Sequence, residues 1–259
     1  PVGNHETLLA YLVRRLLENG ANTSFVNRIA DKSLAIDDLI ENPTQTILSS
    51  AKRENIVGQK HLSIPLPAEL YGQLRANSKG LDLANDSELA QLNQTAQQFA
   101  KHQWSAAPMG EHIQTNDAVA PQTIINPARH SDVVGYVQEA TTEQVEQALN
   151  NAQAVQDIWA RTAKDTRASY LLRAADLMEA RLEELMVLLC RESGKTYANA
   201  IAEVREAVDF LRYYATQMID LDANAEVEPL GTMLCISPWN FPLAIFTGQV
   251  AAALVAGNT

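Results

Sequence analysis

The 259 residues give enough chain for one large domain or two small ones, and a hydrophobic share of 46% with only 6% aromatics is that of an Ala- and Leu-rich globular protein. The formal net charge of −11 excludes non-specific nucleic-acid binding by this segment, since affinity for phosphate backbones comes from clustered Lys and Arg. Cys190, in a leucine-rich helical stretch, and Cys235, in an apolar run, are too few to staple a fold and read as buried free thiols, which suits a reducing cytoplasm.

No N-terminal signal peptide is visible, and the chain opens without Met, as an excised piece of a longer protein would. His5 to Asn19 predicts an amphipathic helix, with Asn4 as N-cap and Gly20 just past its end. Leu8, Leu9, Leu12, Val13, Leu16 and Leu17 share one stripe of a helical period. Tyr11, Arg14, Arg15 and Glu18 cluster on the opposite face, within about a third of the circumference. Two adjacent arginines beside a tyrosine and a glutamate can grip a carboxylate in bidentate fashion. They equally match a solvated face, the usual pattern opposite a leucine stripe.

Asp31 to Gly110 has the composition of a connector: Asn42-Pro43, Ile64-Pro65-Leu66-Pro67 and polar runs punctuate short helices. Its strongest helical pattern runs from Ser87 to Trp104. His61 and His102 stand alone, and a lone histidine is far more often structural than a metal ligand. Thr123 to Asn126 and Val133 to Glu139 then read as strands around a Pro127 turn. Thr141 and Gln144 are spaced for a capping box that opens a helix to about Trp159. Two long helices are expected next, over Thr166 to Ser193 and Thr196 to Ile219. Gly194-Lys195-Thr196 invites a phosphate-loop reading, but the first glycine of that motif would stand where Leu189 is, with no strand before it, so a helix-to-helix turn is the better assignment.

The chain from Pro229 to Thr259 carries no charged residue. Pro238, Pro242, Asn240, Gln249 and Asn258 nevertheless interrupt any apolar span of the roughly 20 residues a membrane helix needs. Thr232 to Ser237 has strand length. Pro238-Trp239-Asn240-Phe241-Pro242 breaks it, because each proline fixes its own φ and disfavours helix for the residue before it. From Leu243 the spacing is helical, with Pro242 suited to the first turn and Gly257-Asn258 as a left-handed stop. Strand, rigid loop and small-residue helix make the first half of a βαβ unit.

The PWNFP loop and the AAAL-x-AGNT helix end resemble the cofactor-binding region of the aldehyde dehydrogenase superfamily. The resemblance extends back over Ile125-Asn126-Pro127, Val134 to Val137, Arg191 to Thr196 and Glu203 to Ala207. It implies that Asn240 is the asparagine whose amide donates to the developing oxyanion, and that Ile236, Ser237, Pro238 and Trp239 lie along NAD. The other reading of Asn240 is a buried amide that ties the turn to itself. The family's nucleophilic cysteine and base glutamate are expected further along than Thr259, and neither Cys190 nor Cys235 stands in a motif that would substitute.

The opening stretch, Gly3 to Asp31, resembles the closing βα unit of the proline dehydrogenase barrel in the bifunctional proline utilization A family. That resemblance implies that Arg14 and Arg15 grip the proline carboxylate, Tyr11 packs on the ring and Glu18 supports them. The fold class expected is α/β, in three parts: residues 1–30 as the last helix of a (β/α)8 barrel, 31–110 as a mostly helical connector, and 111–259 as the N-terminal part of a Rossmann-like NAD-binding domain. The implied chemistry is oxidation of L-proline with FAD and of glutamate semialdehyde to glutamate with NAD, in a cytoplasmic parent whose membrane contact and homo-oligomeric state stay open. Such a fragment holds one wall of the flavin site and is expected to be inactive alone. Two alternatives remain: a monofunctional NAD-dependent aldehyde dehydrogenase with an N-terminal extension, in which the Tyr11 to Glu18 pattern is an accident, and a non-catalytic helical interaction module.

Overall fold

The computed structural model describes residues 25–59, 64–72, 74–110, 113, 120–221 and 227–259. The chain divides into two compact units, residues 1–64 and 65–259. The helix expected over His5 to Asn19 lies outside the described residues.

In the first unit three short helices follow one another: α1 (Phe25–Ala30), α2 (Ile36–Leu39) and α3 (Pro43–Arg53). Asp31 closes the turn after α1 by accepting from the Ser33 amide and hydroxyl at 2.9 and 2.6 Å. Asn42 caps α3 through Thr44 N at 2.9 Å, and Pro43 fills the first helical position, where no amide hydrogen is needed.

In the second unit a 3-10 turn, Pro67–Glu69, precedes α4 (Asp86–Gln98), which is capped by Asn85 accepting from Ser87 N and Glu88 N. It is shorter than the expected Ser87 to Trp104 helix. The chain turns after Gln98 because the carbonyls of Phe99 and His102 face inward onto the buried Arg191, whose Nη1 donates to both at 2.8 and 2.7 Å. Trp104 then enters β1 (Trp104–Ala106) instead of a helix. With β2 (Gln122–Asn126) and β3 (Arg129–Val137) this makes a sheet of order β1-β3-β2, parallel on one side and antiparallel on the other. Both expected strands are present, the second starting four residues earlier. Gly135 pairs with Trp104, and a Cβ there would fall 2.1 Å from the Trp104 carbonyl oxygen, so β1 packs beside β3 only with glycine at this place.

Five helices complete the described part of this unit: α5 (Thr142–Arg161), α6 (Lys164–Ala180), α7 (Leu182–Ser193), α8 (Tyr197–Asp220) and α9 (Ala244–Val255). The Thr141/Gln144 capping box forms in full, at 3.3 and 2.8 Å. The single helix expected over Thr166 to Ser193 is two helices, broken at Arg181 (φ −109°, ψ 19°). The break lets the two halves face different cores. Ala168, Leu171 and Ala175 pack with Val208, Leu211, Ala215, Ala251 and Val255, whereas Leu182, Met186 and Leu189 pack with Leu92, Ala200, Ile201 and Val204. Each fully buried leucine or valine here contributes about 1.5–3 kcal/mol relative to an exposed one.

The run Thr232 to Ser237 is not a strand. It bends at Thr232, and among the described residues its backbone partner is Thr259: Thr259 N donates to Gly231 O at 3.3 Å and Met233 N donates to Thr259 O at 2.7 Å. Those two bonds have the pattern of parallel pairing, with Thr259 opposite Thr232. Beyond them Leu234 and Ile236 are exposed and their strand character has no ladder to express it.

One electrostatic tie crosses the sheet and the helices. Arg191 holds Asp132 through Nη2 at 2.6 Å and Nε at 3.2 Å, and Asn126 donates to the same carboxylate at 3.0 Å. The Arg191 contact, and after it Asn126, keep the Asp132 carboxyl below its ordinary value. A group depressed on folding contributes stability that is present above its unfolded value, about 3.9, and is lost as pH falls through the folded value. Asp132→Asn is therefore expected to flatten the acid limb of stability below about pH 4, seen by urea unfolding across the acid range. An acid limb unchanged from wild type contradicts this.

Candidate functional site

The loop 238–243 joins the run 232–237 to α9, and both ends of α9 are fastened by side chains from distant helices. At the C-terminal end, Trp159 Nε1 donates to Leu254 O at 2.9 Å, Arg167 Nε to Val255 O at 2.9 Å and Gln156 Nε2 to Gly257 O at 3.0 Å. These satisfy carbonyls that a helix end leaves without partners. Gly257 turns the chain at φ 92°, and the buried Asn258 accepts from Leu230 N and Gly231 N at 2.6 and 3.0 Å. The AGNT motif thereby brings Thr259 beside Thr232. Further along, Gln249 Nε2 holds Ile236 O at 2.9 Å.

At the N-terminal end the anchor is Glu203, on the second turn of α8, with a side chain 1% exposed. Its Oε1 accepts from Leu243 N at 2.8 Å and Ala244 N at 3.4 Å, and its Oε2 pairs with Lys195 Nζ at 2.7 Å. Lys195 Nζ donates in turn to Asn240 O at 2.8 Å and lies 4.8 Å from the Phe241 ring centre. Lys195 reaches this place because Gly194 takes the left-handed conformation (φ 67°) at the end of α7, and Thr196 caps α8 by accepting from Asn199 N. The expected helix-to-helix turn is present. Since Glu203 occupies the amides at the start of α9, those donors are not free to hold a phosphate.

Ile236, Ser237, Pro238, Trp239 and Asn240 thus stand on one continuous segment. Ile236 and Trp239 are 72% and 86% exposed, an uncovered apolar pair. The Asn240 side chain is exposed and makes no hydrogen bond among the described residues, while its backbone carbonyl is fixed by Lys195. The turn is tied by Lys195 and Glu203 rather than by its own amide. Tyr11, Arg14, Arg15 and Glu18 lie outside the described residues.

Sequence reasoning passed over Lys195 and Glu203 as site residues, although both stand in runs that carry the family resemblance. What marks them is a contact across 45 positions, which no local spacing reveals. Cys190 and Cys235 are both free and partly buried. Burial pushes the Cys190 thiol up, away from the thiolate a nucleophile needs. His102 stacks edge-on against Phe99 and Trp104, a structural setting. Among the described residues no cluster of His, Cys, Asp and Glu is arranged to hold a metal ion.

Comparison with known proteins places this geometry. Residues 113–259 match the aldehyde dehydrogenase family and residues 1–28 match proline dehydrogenase. The chain is 57% identical over all 259 of its residues to the bifunctional protein PutA of Escherichia coli K12, of which it spans 20%. It is 40% identical over 162 residues to 1-pyrroline-5-carboxylate dehydrogenase of Geobacillus thermodenitrificans, a match covering 58% of this chain and 31% of that protein. A crystal structure of proline utilization A from Bdellovibrio bacteriovorus, inactivated by N-propargylglycine, superposes with a TM-score of 0.68 at 30% identity, covering the whole chain and 27% of that one. The chain therefore spans about a fifth to a quarter of the length of the bifunctional relatives it matches.

Proposed function

As this chain belongs to the aldehyde dehydrogenase family, we propose that it is a central segment of a bifunctional proline-catabolic oxidoreductase, oxidising L-proline to pyrroline-5-carboxylate in one module and glutamate semialdehyde to L-glutamate in the other. Residues 1–30 close the proline dehydrogenase barrel, 31–110 connect, and 111–259 begin the NAD-dependent module. Likeness to a bifunctional relative along the whole chain supports this over a monofunctional enzyme, since the 1-pyrroline-5-carboxylate dehydrogenases match 58% to 77% of it. The proline dehydrogenase match at residues 1–28 supports the same choice, because it covers Tyr11, Arg14, Arg15 and Glu18.

The observation that carries the aldehyde half is the exposed, unpartnered Asn240 amide on a loop whose backbone is pinned. A fixed backbone sets the point from which the amide reaches, and an amide with no acceptor among the described residues is free to donate to charge that develops on a substrate oxygen. Ile236 to Trp239 present main chain and apolar surface at the carboxyl end of this segment, where open α/β sheets hold their ligands. NAD bound along that segment would accept the hydride. Asn240 stabilises the oxyanion, and Ile236, Ser237, Pro238 and Trp239 line the cofactor.

In the proline half Arg14 and Arg15 grip the substrate carboxylate, Tyr11 packs on the ring and Glu18 supports the arginines, in a site that FAD would complete. Each arginine contact is worth about 1.5–3 kcal/mol. Arg14→Met or Arg15→Met in the full-length protein is expected to raise the proline KM about 10- to 150-fold, by that energy, with aldehyde oxidation intact. An unchanged KM in both variants removes the carboxylate role. The protein is proposed to work in the cytoplasm, and no helix of the described residues is long and apolar enough to cross a membrane.

A further inference from the structure

We propose that Lys195 and Glu203 are positioning residues that aim the Asn240 amide, an inference that rests on the oxyanion role just proposed. The Asn240 side chain is held by nothing among the described residues, so the point from which it reaches is set by the backbone that carries it. That backbone is fixed at the asparagine's own carbonyl and again three residues on by one ion pair. Lys195 Nζ takes the Asn240 carbonyl at 2.8 Å, and Glu203, 2.7 Å from the same ammonium, takes the amides of Leu243 and Ala244. Between these two anchors stand only Phe241, whose ring lies against the ammonium, and Pro242, whose φ is fixed by its own ring.

The pair is an expensive way to hold a loop. Its side chains are 13% and 1% exposed, and a buried ion pair gains little stability over an apolar pair of similar volume. What it supplies is direction. Two amides at the start of α9 donate to Glu203 and the Lys195 ammonium lies 2.7 Å from it, so the α7–α8 turn, α8 and the start of α9 have to be in register for the loop to close. Displacement of a catalytic donor by about 1 Å costs on the order of 100-fold in rate. Removing the ammonium frees the Asn240 carbonyl and leaves the Glu203 charge uncompensated. The Asn240 amide then samples directions that miss the oxygen.

The test is a double-mutant cycle in the full-length protein, reading kcat for aldehyde oxidation, the aldehyde KM, the Kd for NAD and Tm. Lys195→Met is expected to lower kcat about 10- to 100-fold with KM and the NAD Kd changed less than about threefold, and to cost nothing further once Asn240→Ala is present. Glu203→Gln keeps acceptors for Leu243 and Ala244 while removing the charge, and is read in the same cycle if Lys195→Met fails to fold. The same loss of kcat, absorbed by Asn240→Ala, is expected from it. Losses that multiply with that of Asn240→Ala, or a kcat at wild-type level in both Lys195→Met and Glu203→Gln, overturn the positioning role. Should Asn240→Ala alone leave kcat unchanged, it is the oxyanion reading that fails, and the single variant shows this before the cycle is closed.

Discussion

Asn240→Ala in the full-length protein is expected to lower kcat for aldehyde oxidation by about 10²–10³, the cost of deleting one donor from an oxyanion site. The NAD Kd is expected to change little, because Ile236 O is held by Gln249 and the Asn240 carbonyl by Lys195, and neither contact uses the amide that is removed. Stability is expected to be near wild type for the same reason: an exposed side chain without a partner takes no folding energy with it. A structural asparagine predicts the reverse pattern. Its loss disturbs the loop, weakens NAD binding and lowers Tm, while kcat per bound cofactor survives.

Arg191→Met is expected to destabilise the 65–259 unit by about 3–5 kcal/mol, the range for removing one partner of a buried ion pair. Its side chain is 9% exposed and donates twice to Asp132 and once each to the Phe99, His102 and Val133 carbonyls. Methionine fills most of the space and removes the guanidinium from all four groups, leaving Asp132 with Asn126 and the Phe99 carbonyl with His102 N. Urea unfolding checks this, and a loss under about 1 kcal/mol contradicts it. Catalysis per folded molecule is expected to hold, since Arg191 touches neither the Asn240 loop nor the segment before it.

Those two residues illustrate where the sequence speaks. Local devices were legible: the Thr141/Gln144 box, the Gly194 turn and the Gly257 stop each rest on residues within one helical turn, and each forms as the spacing predicts. Long-range ones were not. Nothing in the run Thr166 to Ser193 announces that its two halves serve different cores, and helix propensity alone would carry through Arg181. Trp104 reads as the end of a helix until Arg191, 87 residues on, takes the carbonyls of the turn before it. Thr232 to Ser237 shows the converse error, since an apolar run specifies a strand only where a neighbour supplies the ladder, and here Thr259 alone does so among the described residues.

The candidate site divides the same way. Asn240 and the segment Ile236 to Trp239 were singled out by the resemblance of the PWNFP loop to the aldehyde dehydrogenase superfamily, since the residues alone equally allow a structural asparagine. The pair that holds the loop was hidden in helical surroundings, with Lys195 resembling a turn residue and Glu203 an ordinary solvated acid. Burial is what distinguishes Glu203, and burial is a property of the assembled helices.

The central claim is that one chain carries two separate oxidations, with Arg14 serving one and Asn240 the other. The most direct measurement assays the purified full-length protein for proline-dependent dye reduction and for NAD-dependent oxidation of pyrroline-5-carboxylate, in wild type, Arg14→Met and Asn240→Ala. The expected result is both activities in wild type, loss of the first alone in Arg14→Met at low proline, and loss of the second alone in Asn240→Ala. Absence of either activity from the wild-type protein, or loss of both in either variant with folding intact, contradicts the account.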